Sequence, residues 1–376
     1  MRKQNRALAV LLSGCAMIIL ILDSKTAINS AIEGIDICLR TIIPSLLPFF
    51  FLSIILTNAA ADANIPFLQP LGKLCGMPLG SEHILLIGLL GGYPVGAQTV
   101  TEAYSEGYLS KKDAHRILGF CNNAGPAFIF GIVGSLFSSK IVVVLLWLIH
   151  IASALIVGII LPGKSNNRCT VRQKNMITLT DALTKAIRIT ATVCGWVVVF
   201  RILIAFLCRW VLWIFPDIIE LLLIGFLELA NGCYNLNEIT SDAVRFILCS
   251  VILAFGGTCV YMQTISATGI LGTGWYLVGK IMQAVLSGVL SAITVLFLYH
   301  DRKISIPLLC VIPVILVILF MIFKKTVAFL DKQIYNNKKS KEPVLCCSEK
   351  RLSNRVPIVL MAHKLTKNRS CVSRKV

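Results

Sequence analysis

The sequence has few charged residues and lacks the patterns that mark most soluble enzymes. Only 14% of its 376 residues are charged, and 18 acidic residues stand against 36 Lys and Arg. Its 14 cysteines show no Cys-x-x-Cys spacing, which argues against a zinc site or a disulfide framework. The five histidines have no metal-ligand spacing, and no Ser/His/Asp or Cys/His arrangement stands out. We therefore predict no enzyme, no ATP hydrolysis, no metal and no cofactor.

Long apolar runs are abundant instead. The chain is 56% hydrophobic, with a mean hydropathy of +0.81. Runs close to or above about 18 apolar residues are typical of membrane helices. They include residues 141–161, 193–215, 275–299 and 306–323. The runs predict an all-α polytopic membrane protein with about 8–10 membrane segments, some of them broken or re-entrant.

The net charge of +18 is concentrated at three places. Residues 324–376 carry 14 Lys or Arg against three acidic residues, which places +11 there. The amino end carries Arg2, Lys3 and Arg6, and the connector at 163–180 is also basic. Positive charge beside membrane spans marks the cytoplasmic side. We favour this topology signal, with a disordered cytoplasmic tail, over nucleic-acid binding; contact between the tail and the membrane surface stays open.

The amino end carries a misleading signal. The letters LSGC at 12–15 resemble a lipoprotein cleavage box, but the apolar run continues through 16–22, whereas a signal's apolar core ends at the cleavage site. We therefore predict an uncleaved span at about 7–22. The predicted organisation is an amino-terminal span (1–25), a first membrane half (26–162), a basic connector (163–180), a second membrane half (181–323) and the tail (324–376).

Residues 26–40 show the three-and-four spacing of an amphipathic helix. We expect this helix to lie at the membrane interface or to pack against the bundle. Pro44 then opens a strongly apolar stretch at 42–56, which we expect to enter the membrane.

Four short stretches interrupt the apolar runs with glycine, proline and uncharged polar residues. In lipid every backbone N–H and C=O must be paired, so irregular backbone is tolerated only where protein or a water-filled cavity surrounds it. Breaks in corresponding positions of two halves indicate a transport site near the bilayer midplane. The four stretches are 91–97 (GGYPVGA), 121–128 (CNNAGPAF), 225–232 (GFLELANG) and 255–263 (FGGTCVYMQ).

The number of crossings is left open. If the amino end, connector and tail are all cytoplasmic, each half crosses the membrane an even number of times. An inverted repeat requires an odd number.

At these four stretches the chain resembles the sporulation integral membrane proteins of the YlbJ family, within the wider set that carries Gate or nucleoside-recognition domains. The likeness extends over roughly 28–323, and the asparagine-proline motif at 120–128 is its most specific part. One departure is the sequence VCGW at 193–196, where an Ile-Gly-Gly type is expected. The resemblance implies a role in endospore formation, in the outer forespore membrane, and an association with the movement of dipicolinic acid.

The residue types at the breaks are compatible with such a planar dicarboxylate. Free N–H groups at a half-helix amino end favour anions, asparagine amides offer donors without charge, and a tyrosine ring offers a stacking surface. The alternative is that the glycines permit close helix packing and the asparagines cap helices. The predicted substrate-binding residues are Gly92, Tyr93, Pro94, Asn122, Asn123, Gly125, Pro126, Asn231 and Gln263, and the predicted hinges are Gly91, Gly96, Gly256 and Gly257.

Glu228 is the most informative single residue, because an acid inside an apolar membrane segment is costly and usually functional. We predict a coupling or gating role for it. The alternatives are a cation ligand, a structural salt bridge to a residue such as Arg201, and an interfacial position. Arg201 and Lys280 also lie in apolar runs, where they either neutralise an anion or extend to the interface.

The predicted function is a carrier in the bacterial cytoplasmic membrane for a small organic anion, with dipicolinic acid favoured by resemblance only. One alternative is a carrier of nucleosides or another polar solute. Another is a non-transporting structural protein of the spore envelope. The expected partners are the substrate, the lipid bilayer and either further copies of the chain or other sporulation membrane proteins.

Overall fold

The computed structural model describes residues 2–60, 65–165, 169 and 177–298. The apolar run at 306–323 and the basic tail lie outside these residues. The regular secondary structure of the described residues is helical, and five segments are long and apolar enough to cross a membrane: Ser24–Ala59, Lys140–Ile160, Leu179–Trp210, Asp242–Leu271 and Tyr276–Phe297. The chain is an all-α polytopic membrane protein, as the sequence predicts.

The α-helices of the described residues are numbered in chain order. Those before the connector are α1 (Arg2–Leu22), α2 (Ser24–Ile37), α3 (Ile43–Ala60), α4 (Gln69–Leu74), α5 (Glu82–Leu90), α6 (Val95–Ser105), α7 (Lys111–Leu118), α8 (Pro126–Gly131) and α9 (Lys140–Ile160). Those after it are α10 (Leu179–Trp210), α11 (Asp217–Leu227), α12 (Leu229–Asn235), α13 (Asp242–Phe255), α14 (Gly257–Thr268) and α15 (Tyr276–Leu298).

Helices α2 and α3 form one continuous helical segment. A π-turn at Cys38–Ile42 joins them just before Pro44, which has no N–H to give to the helical ladder. Of the two placements expected for residues 26–40, the structure shows packing against the bundle. The apolar stretch at 42–56 continues the same helical segment, because the π-turn lets the helix run on through the proline-containing region.

Helix α10 runs antiparallel to α2 and α3 along their length. Asp23 at the start of α2 pairs with Arg209 near the end of α10, with 3.1 Å between Oδ2 and Nε. At the other end Asn58 Oδ1 accepts a hydrogen bond from Ile177 N at 2.8 Å. Between them Gly34 lies so close to α10 that an added Cβ would be 3.1 Å from the Val198 Cα. A small residue thus allows the two backbones to approach.

Two helical hairpins and two broken helices follow in the same order on either side of the connector. Hairpin 1 consists of α5 and α6 with its tip at 91–94, and broken helix 1 consists of α7 and α8 with unwound backbone at 119–125. Hairpin 2 consists of α11 and α12 with Glu228 at its tip, and broken helix 2 consists of α13 and α14 joined at Gly256. We call the hairpin and broken helix on each side of the connector a set. One uninterrupted helix follows in each set, α9 in the first and α15 in the second.

The two sets run in opposite directions. Broken helix 1 begins at the end of the bundle that holds Ile177, where Arg116 donates to Leu161 O. It leads to Leu136 at the opposite end, where the Leu136 carbonyl accepts from Arg245. Broken helix 2 begins at Arg245 and leads back to Leu271, whose carbonyl lies 2.7 Å from His115 Nε2. Counting α2–α3 with the first set and α10 with the second, each set therefore runs the length of the bundle three times, and an odd number is what an inverted repeat requires. With a cytoplasmic amino end, the positive-inside rule then predicts one more crossing before Asp23.

Arg116 holds the connector end of broken helix 1. Its side chain is buried, and it donates to the carbonyls of Gly158 at 2.6 Å, Pro162 at 3.1 Å and Gly76 at 3.3 Å. The last carbonyls of a helix have no partner within the helix, so the guanidinium satisfies the end of α9 and ties a neighbouring loop to it.

Replacing Arg116 with Gln is expected to destabilise the folded protein by more than about 2 kcal/mol, since one amide cannot reach these carbonyls and each buried acceptor left unpaired is costly. The check is the apparent melting temperature of detergent-solubilised protein. The matched control is Arg40→Gln at an exposed ion pair with Asp36, which we expect to leave the melting temperature unchanged. Equal melting temperatures for the two variants would show that the hydrogen bonds of Arg116 do not stabilise the fold.

Residues 158–165 (GIILPGKS) match the sequence pattern of a phosphate-binding loop. This match conflicts with the prediction that the chain does not hydrolyse ATP. Such a loop joins a strand to a helix, so that backbone N–H groups surround a phosphate. Here Gly158 lies inside α9 and contacts the Phe120 ring. The helical context does not fit a phosphate-binding loop, so the letter match carries no nucleotide site.

Candidate functional site

The four interruptions meet at one place inside the bundle. Gly92 at the tip of hairpin 1 packs on Gly125 of broken helix 1, where an added Cβ would lie 2.9 Å from the Gly92 Cα. The Tyr93 hydroxyl packs against Gly256 of broken helix 2, where a Cβ added to Gly256 would lie 3.0 Å from the hydroxyl oxygen. Hairpin 2 joins the same cluster, since Gly257 packs against the backbone around Glu228.

A small cavity of about 50 Å³ lies between these four elements. Its lining includes Tyr93 from hairpin 1, Gly125 from broken helix 1, Glu228 from hairpin 2 and Gln263 from broken helix 2. Sites for organic ligands are typically about 300–1,000 Å³. The cavity is therefore too small for an organic anion in this arrangement and has room only for water-sized molecules.

Asn122 connects two of the elements. Its Oδ1 accepts from Ala97 N at 3.2 Å, and so caps the start of α6. Its Nδ2 donates to Thr264 Oγ1 at 3.1 Å, on α14. The side chain is buried, and in this closed arrangement its oxygen and its amide nitrogen bind protein groups. The predicted contact between Asn122 and substrate stays a prediction.

Asn123 holds the unwound backbone of broken helix 1 in place. Its Nδ2 donates to Gly88 O at 2.9 Å and to Phe120 O at 2.7 Å. Its Oδ1 accepts from Lys280 Nζ at 3.1 Å. A contact with substrate again stays a prediction, while the structure gives Asn123 a definite role in joining hairpin 1, broken helix 1 and α15.

Glu228 caps the short helix α12. Its Oε1 accepts from Ala230 N at 3.0 Å, and its Oε2 accepts from both the backbone N and the Nδ2 of Asn231 at 2.6 Å. The suggested salt bridge to Arg201 is wrong: Arg201 pairs with Glu33 and reaches Glu228 only through Asn231 Oδ1, at 3.3 Å. Asn231 thus positions the carboxylate and lies behind it.

Gln263 separates the central cavity from a wider opening. It lines the 50 Å³ cavity and also a cavity of about 550 Å³ that Pro94 borders. A further cavity of about 340 Å³ shares Gln98, Glu102, Ile177 and Lys185 with the second one. The two larger cavities form a vestibule at the connector end, with an ion pair between Lys185 and Glu102 in its wall.

The predicted hinge glycines differ in geometry. Gly256 and Gly257 have φ angles of 83° and 81°, and Gly92, predicted to bind substrate, has a φ of 76°; such angles favour glycine. Gly91 and Gly96 lie where an added Cβ would be 2.7 Å from Ile87 O and 2.0 Å from Cys121 O. The Gly96 contact is evidence for close packing between elements, the alternative that the sequence left open, whereas Ile87 O belongs to the helical turn that Gly91 itself ends. Pro126 occupies the first turn of α8, where its missing N–H costs nothing.

Replacing Gly96 with Ala is expected to lower the melting temperature sharply, because the methyl group would meet the Cys121 carbonyl and the backbones of α6 and broken helix 1 would have to separate. The matched control is Gly195→Ala in α10, where nothing lies within 4 Å and alanine favours the helix by about 1 kcal/mol. Thermal unfolding in detergent measures both. A Gly96→Ala variant as stable as Gly195→Ala would show that the contact does not constrain the fold.

For Lys280 the sequence left two positions open, one beside an anion and one at the membrane interface. Lys280 does not extend to the interface, since it is 1% exposed on α15. Its Nζ donates to Gln283 Oε1 at 2.6 Å, Tyr93 Oη at 3.1 Å and Asn123 Oδ1. The available signal was the Lys-x-x-Gln spacing inside an apolar run, which places both side chains on one helix face.

His150 is a second buried polar residue at broken helix 1. Its Nε2 accepts from Ala124 N at 3.1 Å, so the ring proton belongs on Nδ1, which has no hydrogen-bond partner among the described residues. Within the same residues no group of three or more His, Cys, Asp or Glu side chains is arranged to hold a metal ion.

Comparison with known proteins bears on the predicted resemblance. The chain is 28% identical over 141 residues to the sporulation integral membrane protein YlbJ of Bacillus subtilis (strain 168). The resemblance to the YlbJ family is confirmed. The match to YlbJ covers 36% of this chain and about a third, 34%, of YlbJ. No family model matches the chain, and no solved structure matches it.

Proposed function

We propose that this chain is a membrane carrier for a small organic anion, with its site at the meeting point of the two hairpins and two broken helices. The observation that carries the proposal is the cavity whose lining comes from all four of them. Irregular backbone inside a membrane requires protein or a water-filled cavity around it, and crossed half-helices provide polar backbone for a solute.

The narrow central cavity and the wider vestibule beside it support a carrier that exposes its site to one side at a time. The vestibule reaches Gln263 from the connector end, which the basic residues place in the cytoplasm. From there a solute enters the central cavity when hairpin 1 moves away from Gly125. The opposite directions of the two sets match the rocking of one repeat against the other in transporters of this kind.

The chemistry of the site favours an anion. Helix α14 begins at Gly257 without a side-chain cap, and Val260 from its first turn lines the central cavity, so the dipole of α14 favours a carboxylate there. The amino end of α12, in contrast, is already capped by Glu228. The Tyr93 ring offers an apolar surface to a flat ring system.

The substrate is proposed from the resemblance alone. YlbJ is described as a sporulation integral membrane protein. We extend this to a role in sporulation for the present chain, in the outer forespore membrane, with dipicolinic acid as the anion moved. Dipicolinate is a planar pyridine dicarboxylate, so its two charged groups and flat ring suit the dipole of α14 and the tyrosine.

Glu228 requires a further step, because a carboxylate on the lining repels an anion. In the proposed mechanism a proton or a cation enters with the substrate and compensates this repulsion. Glu228 is thereby the coupling residue, and its hydrogen bonds to Asn231 tie its charge to the position of hairpin 2.

Uptake of labelled dipicolinate into proteoliposomes tests the function. The proposal predicts uptake that exceeds that of protein-free liposomes and that excess unlabelled dipicolinate inhibits, whereas uridine does not. Uptake inhibited by uridine would favour a nucleoside carrier instead. No uptake of either solute by correctly inserted protein would favour a structural role in the spore envelope.

A further inference from the structure

Lys280 is a buried basic residue that has no carboxylate partner among the described residues. The three oxygens that accept from its Nζ belong to Tyr93, Asn123 and Gln283, all of them neutral side chains. None of the ion pairs between described residues includes it. Hydrogen bonds to neutral oxygens orient an ammonium group but leave its charge uncompensated, and such a charge inside a membrane protein is costly and marks function.

The position of Lys280 connects it to the central cavity. The Tyr93 ring lines that cavity, and Lys280 Nζ lies 5.0 Å from the ring centroid, behind it. Tyr93 lines the cavity and contacts Lys280, which does not line it, so the Tyr93 side chain separates the lysine from the solute space. Because Tyr93 belongs to the tip of hairpin 1, withdrawal of the hairpin removes this cover and leaves one N–H of Lys280 without its acceptor.

The remaining contacts hold Lys280 on a rigid element. Gln283 Nε2 donates to His150 O at 3.1 Å, and Ser287 Oγ lies 2.7 Å from Ser250 Oγ, so α15 is fixed to α9 and α13 near the lysine. Asn123 fixes the other side of the ammonium group. When hairpin 1 moves, the charge stays in place.

We infer that Lys280 is the counter-charge of the transported anion: a carboxylate oxygen of the solute takes the place of the Tyr93 hydroxyl on Lys280 Nζ. This inference rests on the proposed function, since it needs a solute to enter the central cavity. It makes Lys280 a specificity-determining residue for carboxylates, and it gives Tyr93 two roles. In this structure the Tyr93 hydroxyl accepts a hydrogen bond from the lysine, and when a solute is bound the Tyr93 ring contacts it.

The inference predicts a charge-selective loss in the Lys280→Met variant. Binding to detergent-solubilised protein is measured with three probes: pyridine-2,6-dicarboxylate, pyridine-2-carboxylate and uncharged pyridine-2-carboxamide. Loss of a charge-assisted hydrogen bond is expected to weaken the dicarboxylate roughly 10- to 100-fold relative to the carboxamide. Lys25→Met, at an exposed lysine of α2, is the matched control and keeps the wild-type selectivity.

Tyr93→Phe provides a second test with the opposite sign. Phenylalanine keeps the ring surface but removes the hydroxyl that competes with the solute for Lys280. The variant is therefore expected to bind the dicarboxylate a few-fold more tightly than the wild type, whereas a tyrosine that binds substrate through its hydroxyl would give weaker binding. This test also stands if Lys280→Met fails to fold.

The outcomes separate this inference from the proposed function. If wild-type protein binds and transports the dicarboxylate but Lys280→Met binds all three probes with unchanged ratios, Lys280 is a structural clamp and the inference is overturned. If Tyr93→Phe weakens dicarboxylate binding, it is overturned as well. If wild-type protein neither binds nor transports any of the probes, both the proposed function and the inference fail.

Discussion

Replacing Asn123 with Ala is expected to abolish dipicolinate uptake while the protein still inserts into the membrane. The substitution removes the hydrogen bonds from Asn123 to Gly88 O and Phe120 O, and it takes away one of the three acceptors of Lys280 Nζ. Each buried polar group left unpaired costs about 1–3 kcal/mol, so broken helix 1 loses the backbone arrangement that the site requires. We expect the initial rate of uptake, normalised to inserted protein, to fall at least about 100-fold.

The control for this experiment is Asn237→Ala, at an exposed asparagine beyond hairpin 2, which should transport as the wild type does. Asn122→Ala tests the neighbouring position and should also lose uptake, because Asn122 caps α6 and binds Thr264. Normal uptake by Asn123→Ala would exclude broken helix 1 from the transport site. Loss of membrane insertion in both variants would indicate a purely structural motif.

Replacing Glu228 with Gln is expected to separate exchange from accumulation. The glutamine oxygen still accepts from N–H groups at the start of α12, so the tip of hairpin 2 keeps a partial cap. The charge, however, is lost, and with it the coupling to a proton or cation. Gradient-driven accumulation of dipicolinate should fall more than about 10-fold, whereas exchange of internal for external dipicolinate should continue.

Glu238→Gln is the matched control, because Glu238 is exposed just after α12. Both variants are measured in the same proteoliposomes, with and without an imposed pH gradient and with Na⁺ or K⁺ as the external cation. Wild-type accumulation by Glu228→Gln would reduce Glu228 to a helix cap. Loss of both exchange and accumulation would assign it to substrate binding or to folding.

The interruptions could be predicted from the sequence because their signals are local. Glycine pairs and a following proline cannot continue a helix in lipid, so the tip at 91–94 and the unwound backbone at 119–125 were expected at the right positions. The start of α7 also rests on a local contact, since the hydroxyl of Ser110 accepts from Asp113 N at 3.1 Å, three residues along the chain.

Long-range contacts could not be predicted in the same way. The positions of Glu102 opposite Lys185, and of Arg116 on the end of α9, depend on segments far apart in the chain. Lys280 was recognised as a charge in an apolar run, but its burial behind Tyr93 follows from the contact between hairpin 1 and α15. The direction of each set likewise required its end contacts, because hydropathy alone does not distinguish a hairpin from a crossing.

The measurement that tests the central claim most directly is counterflow in proteoliposomes. Vesicles that contain the wild-type protein are loaded with unlabelled dipicolinate and diluted into trace labelled dipicolinate. A carrier with one alternately exposed site predicts transient accumulation of label, lost in Asn123→Ala and retained in Glu228→Gln. Absence of counterflow from correctly inserted, folded wild-type protein would contradict the account.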